Sequence, residues 1–140
     1  MAIKTPFVAV DGIIKIFDGE RFEGIVLIER KNPPHGVALP GGFVEIGERV
    51  EDALVREMKE ETTLDVHIER VHGIYSDPNR DPRFHTVSIT FLCHATGVPR
   101  GADDAKKAMI YPLERIPWEK LVFDHPKILK DFLYGVSCGR

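Results

Sequence analysis

The stretch GFVEIGERVEDALVREMKEETTL, residues 42–64, decides the architecture. Within it Val50, Ala53, Leu54 and Met58 recur at i, i+3, i+4 and i+8, which predicts a helix over about 49–61. On a wheel of about 100° per residue, Leu54 lies about 40° and Met58 about 80° from Val50, while Glu57 and Glu61 each fall within about 20° of it. Two carboxylates therefore occupy the middle of the stripe that should be buried, and Glu60 lies at its edge. Burying unpaired carboxylates is costly, and like charges one turn apart repel. A sequence selected only for a stable helix would avoid this arrangement.

Two readings compete. In one, the stripe turns to solvent after Leu54, and Glu57, Glu60 and Glu61 form a solvated acidic face that Arg56 and Lys59 neutralise. In the other, the carboxylates converge on a divalent cation. Hard oxygen ligands suit Mg²⁺ or Mn²⁺, which keep waters and bridge substrate phosphates. The flanks favour the second reading. Pro40-Gly41-Gly42 precedes the helix, and glycines allow close backbone approach, with carbonyls free to face a cation. Glu48 and Arg56 are spaced to pair across the loop–helix junction, fixing the loop relative to the carboxylates.

Gly42, Glu48, Arg56-Glu57, apolar Met58, Glu60-Glu61 and Leu64 together resemble the Nudix box. The match departs at Thr63, where the family has glycine. A β-branched residue is poor at positive φ, so a differently built turn is expected after Glu61. The resemblance implies a Nudix hydrolase, which uses Mg²⁺ or Mn²⁺ to cleave a diphosphate bond with water. By position, Glu57, Glu60 and Glu61 would bind metal and the Gly41 carbonyl would add a ligand. Arg56 would pair with Glu48. The general base would be Glu60 or Glu61, or else Asp103 or Asp104, in a region where other family members place an acidic residue.

Working outward, residues 7–16 and 24–30 are β-branched-rich runs around the turn at 17–20, which predicts a hairpin. Residues 32–36 read as a loop and 37–39 as a short strand leading into the glycine loop. Strand-like runs follow at 65–75, 86–95 and 108–111. A second helical pattern covers 125–134, with Pro126 in its first turn and Gly135 at its end. Strands outnumber helices, so the fold class is α/β (α+β): an α/β/α sandwich around a mixed sheet, as a single domain over 1–140.

The composition excludes several functions. Net charge is -3 with both signs interspersed, so no basic face awaits nucleic acid. The two cysteines, Cys93 and Cys138, form no CxxC, which argues against a zinc site or disulfide and for a reducing cytoplasm. Asp11 interrupts the first apolar run, so no signal-peptide core forms, and no run could span a membrane. Family members often form homodimers, and the N-terminal strand or loop would mediate one here.

The box is silent on the group being cleaved. YSDPNRDPRFHTVS, residues 75–88, resembles the segment after the box in ADP-ribose pyrophosphatases, as do GADDA at 101–105 and FDH at 123–125. That implies hydrolysis of ADP-ribose to AMP and ribose 5-phosphate. Arg80 and Arg83 are candidates for gripping phosphate or ribose oxygens bidentately. The competing assignment pairs them with Asp77 and Asp81 in a surface loop. Phe7, Tyr75 or Phe84 would supply an adenine platform. His85 and His94 read as strand residues with satisfied hydrogen bonds, and His125 as a cap-like residue before its helix. Other substrates in the same family remain open: (deoxy)nucleoside triphosphates or dinucleoside polyphosphates. So does a non-catalytic nucleotide-binding module.

Overall fold

The computed structural model describes residues 2–101 and 107–135. Strands β1 (Phe7–Asp18) and β2 (Arg21–Glu29) form the expected hairpin and run closer to the turn than the apolar pattern suggested. Gly19, at φ 61°, makes that turn. Then come β3 (Val37–Ala38), β4 (Gly41–Phe43), α1 (Val50–Thr62), β5 (His67–Tyr75), β6 (Thr86–Ala95), β7 (Lys107–Tyr111) and α2 (His125–Tyr134).

The mixed sheet runs β3-β2-β1-β6-β5, with β4 paired to β1 and β7 to β2. Only β1 and β6 run parallel among the paired named strands, from Phe7↔Thr86 to Ile16↔Ala95. α1 covers one face: Ala53, Leu54 and Met58 are fully buried against Val10, Ile14, Val26 and Phe91. Gly12 permits this approach, because a Cβ there would lie 2.6 Å from the Met58 sulfur. α2 covers the other face, with Ile128 and Leu129 packed among Ile13, Ile25, Leu27 and Leu92. Each fully buried aliphatic side chain contributes about 1.5–3 kcal/mol, so both helices are anchored by their apolar stripes. The Tyr75 hydroxyl donates to Asp131 at 2.9 Å and ties β5 to α2. The three-layer architecture is the one expected.

Two local readings change. Gly41 and Gly42 belong to a strand rather than a loop. Their neighbours crowd the backbone so closely that only glycine can pair there with β1. The turn after Glu61 is built as a glycine would build it. Thr63 itself takes the left-handed conformation, φ 65° and ψ 5°, and its N–H donates to the Lys59 carbonyl at 2.9 Å. The neighbouring Thr62 hydroxyl donates to the Met58 carbonyl and accepts from the Leu64 N–H, which secures the exit.

A β-branched residue in that region carries steric strain of about 1–2 kcal/mol, partly offset by the lower unfolded-state entropy of Thr relative to Gly. Thr63→Gly should therefore raise the unfolding free energy by up to about 1 kcal/mol in urea denaturation. A clear loss of stability would show that Thr63 is not strained.

Candidate active site

β4 lies between β1 and the first turns of α1, and a cleft of about 630 Å³ opens beside it. Gly41, Gly42, Glu57, Glu60 and Glu61 line one side. Arg80, Asp81, Arg83 and Phe123 approach from loops on the other side, with Asp11 and Thr86 on the sheet between them. The sequence thus brings its three glutamates and two arginines to one cavity. Asp103 and Asp104 lie outside the described residues.

The Glu57 side chain is 13% exposed, against 56% for Glu60. A Cβ on Gly42 would lie 2.2–2.6 Å from its carboxyl atoms, so the glycine is what admits the carboxylate. Burial raises the Glu57 pKa, and the negative charges of Glu60 and Glu61 add to the rise; the Arg56 guanidinium opposes both. Arg56 is the hub of the junction. Its Nε and Nη2 donate to Glu48 at 2.7 and 2.9 Å, its Nη1 to Glu57 at 2.7 Å, and its Nη2 to the Phe43 carbonyl at 3.1 Å. Nη1 also reaches Glu60 at 3.2 Å. The bonds from Arg56 and from the Glu45 backbone pull Glu48 down to about 2.

Among the described residues no three His, Cys, Asp or Glu side chains already converge at coordination distance. The Arg56 guanidinium lies between the Glu57 and Glu60 carboxylates. The donor set nevertheless fits a hard divalent cation. It offers carboxylate oxygens only, and their mutual repulsion is what a 2+ charge relieves. Glu57, Glu60 and Glu61 would hold such an ion beside the Gly41 backbone.

The arginines divide. Arg80 is buried and gives a bidentate pair to Asp124, at 2.9 and 2.7 Å, rather than to Asp77. Arg83 pairs with Asp81 at 3.0 and 2.8 Å, as the competing assignment held, while still bordering the cleft. His85 and His94 have partners, Ser76 carbonyl and Glu69. Phe7 and Phe84 pack with tilted rings, 4.7 Å between centroids, beside Phe43. Tyr75 is buried away from the cleft.

His125 is not a cap. It begins α2, is 2% exposed, and its Nδ1 accepts the Leu39 N–H at 3.0 Å, fastening the approach to β4. Burial pushes its pKa down to about 3, so the ring is neutral. Asp11 and Arg30 line the cleft without having been singled out as site residues, and Phe123 entered the sequence reading only within the FDH stretch at 123–125. Asp11 was visible as an acid inside an apolar run. It is buried, accepts from the Ser88 hydroxyl, and burial raises it to about 6. The Thr86 hydroxyl is buried with no hydrogen-bond partner.

The NUDIX domain model matches residues 6–132. The chain belongs to the Nudix family. It is 50% identical over 131 residues to a Methanocaldococcus jannaschii protein described as an ADP-ribose pyrophosphatase, covering 91% of this chain and 73% of that one. A Francisella tularensis bifunctional NMN adenylyltransferase/ADP ribose pyrophosphatase, crystallised with AMP and a manganese ion, is 27% identical with TM-score 0.74. There the match covers 95% of this Nudix chain but only 42% of the other. A NUDIX hydrolase from Nitrosomonas europaea superposes with TM-score 0.80 at 22% identity, over 99% and 76% of the two chains, and shares the fold.

Two measurements probe this site. Gly42→Ala places a methyl group where the Glu57 carboxyl sits, so Mn²⁺ affinity followed by electron paramagnetic resonance should fall by about tenfold or more. Unchanged affinity would remove Glu57 from the metal site. For His125, the unfolded chain binds a proton below about pH 6.5, whereas the folded ring binds one only below about 3. Stability owed to the neutral ring is therefore lost as pH falls through that window. Asp11, raised in the fold, acts in the opposite sense. His125→Gln lacks the histidine contribution, so in metal-free urea titrations its stability relative to the parent should improve steadily from about pH 7 to 4. A constant difference would refute a buried neutral imidazole.

Proposed function

We propose that this Nudix chain is a metal-dependent diphosphatase that hydrolyses ADP-ribose to AMP and ribose 5-phosphate. The observation that carries the reaction type is the enclosed Glu57 carboxylate, seated against Gly42 in one cleft with Glu60 and Glu61. The substrate rests on the half-identity to the Methanocaldococcus ADP-ribose pyrophosphatase over nine-tenths of the chain. Mg²⁺ or Mn²⁺ is the expected cofactor, and the AMP and manganese ion in the Francisella crystal support that choice.

Glu57, Glu60 and Glu61 would hold the metal, with the Gly41 carbonyl. When bound, the ion polarises phosphoryl oxygens and lowers the pKa of water. The chain's own residues do the rest. Arg56 keeps Glu57 and Glu60 aimed into the cleft while Glu48 fixes Arg56. Glu60 or Glu61 accepts the proton of the attacking water. Arg83, at the cleft edge, faces the substrate. Arg80, held by Asp124, braces the loop on which Arg83 sits. The buried Cys93 thiol suits a cytoplasmic setting, and no described helix is long and apolar enough to cross a membrane. A homodimer joined through the exposed Ile3 and Phe7 end is the proposed assembly.

A panel of ADP-ribose, nucleoside triphosphates and dinucleoside polyphosphates with Mg²⁺, products identified by chromatography, tests the substrate. ADP-ribose should give AMP and the highest kcat/KM. A triphosphate that outranks it would overturn the assignment. Glu61→Gln should lower kcat by about 10²–10³ while the melting transition stays close to the parent's. Collapse of the fold would instead make Glu61 structural.

A further inference from the structure

The end of the sheet away from the cleft carries a pair of histidines that the hydrolysis does not use. β5 and β6 are antiparallel, and His67 stands opposite His94. Side chains opposed in this way share one face of a sheet, with Cβ atoms about 4.5–5.5 Å apart. The two imidazoles lie with ring centroids 5.3 Å apart and planes 24° from parallel. His67 is exposed, and the His94 side chain is 45% exposed. On the neighbouring strand the partner of His94 is Lys15, four residues beyond Asp11. At about 3.3 Å per residue, the pair stands about 13 Å along the sheet from that cleft residue.

The ring nitrogens are sorted by their surroundings. His94 Nδ1 meets Glu69 Oε2 at 2.9 Å. A carboxylate only accepts, so Nδ1 carries the proton, and Nε2 of the neutral ring keeps its lone pair. A carboxylate behind the ring is also how metal-ligating histidines are oriented. The other oxygen of Glu69 accepts from Lys15 Nζ at 3.0 Å, so the lysine charge is taken up rather than turned on the rings. His67 has no hydrogen-bond partner among the described residues and is free to present either nitrogen. Two imidazoles on one tetrahedral ion, each nitrogen about 2.0–2.1 Å from it, hold their ring centres about 5 Å apart. His67 and His94 already stand at that separation. Turning the exposed rings about χ2 brings one nitrogen of each onto a shared cation without moving the backbone.

We infer that His67 and His94 bind a divalent late transition cation through two imidazole nitrogens, with Glu69 as the positioning residue and water completing the coordination. Imidazole suits Ni²⁺, Cu²⁺ and Zn²⁺, whereas carboxylates suit Mg²⁺ and Mn²⁺, so the two ends of the sheet select different ions. The cation ties the first residue of β5 to β6, ahead of the irregularities between Ile68 and Arg70 and between Val71 and Gly73. This site is independent of the substrate assigned to the cleft.

Ni²⁺ is the probe, titrated by calorimetry into the full chain in excess Mg²⁺, with thermal unfolding followed alongside. His67→Gln and His94→Gln should each weaken Ni²⁺ binding by about tenfold or more, and the double variant should be little worse than either, because losing one nitrogen undoes the chelate. Glu69→Gln should weaken it by about tenfold. Glu57→Gln, which alters the cleft instead, should retain it. An ion that binds only the folded chain raises the melting temperature. Ni²⁺ should therefore raise the parent's by several degrees more than that of either histidine variant. Both histidines are exposed, so the metal-free variants should melt with the parent, which keeps a folding defect from imitating the result. The site is overturned if either histidine variant binds Ni²⁺ like the parent, or if Glu57→Gln abolishes the Ni²⁺ binding seen in excess Mg²⁺.

Discussion

The contact between the Glu57 carboxylate and the backbone of Gly42 organises the molecule. α1 must come close enough to β4 for a carboxyl to rest where a side chain would start. That demands a helix buried on Ala53, Leu54 and Met58, so that its register cannot slip. It also demands a strand with no side chains at two successive positions. Gly41 meets the second requirement from the other side, where a Cβ would fall 2.2 Å from Asp11 Oδ1 and 2.3 Å from the Val10 carbonyl. β4 is squeezed between a helix carboxylate and a buried strand carboxylate. Glycine is the residue that fits both walls.

Charge is the second constraint. The cleft gathers acids and bases at a density that needs local pairing. Arg56 takes Glu48 and shares Glu57 and Glu60; Arg80 takes Asp124; Arg83 takes Asp81. Bidentate geometry makes these pairs rigid as well as neutral. What pairing leaves over is informative: the repulsion among the box glutamates on one wall and the guanidinium of Arg30 on the other. A metal–diphosphate complex carries the complementary charges.

The layers, the long strands and both helices were legible because each rests on an apolar period that burial enforces. Glu57 and Glu61 were legible for the opposite reason, as acids placed where the period called for carbon. The strand at Gly41 was not, since two glycines carry no side-chain pattern and only backbone pairing with β1 makes them a strand. Thr63 misled because its strain is borne by neighbours, through the Thr62 hydroxyl and the Lys59 carbonyl. Arg80 read as a ligand residue because its partner, Asp124, is 44 positions away. Arg30 left no trace and Phe123 only its place in the FDH stretch, for their meeting depends on segments distant in sequence folding over one another.

The two walls of the cleft come from opposite faces of the sheet. The glutamates ride on α1, packed against one face. Arg80, Arg83 and Phe123 ride on the segments leading into β6 and α2, which close the other. β4 is the boundary, tied to β1 by Ala9↔Phe43, Val10↔Gly42 and Asp11↔Gly41, and His125 fastens its approach from the α2 side through Leu39. Changes in the loops can therefore reshape what is recognised without moving the carboxylates. Changes in the helix register would displace all three glutamates, and with them the proposed metal site, whatever the loops face. Under the proposed function, this separation is why the helix sequence speaks to reaction type alone and why the substrate is sought in the loops across the cleft.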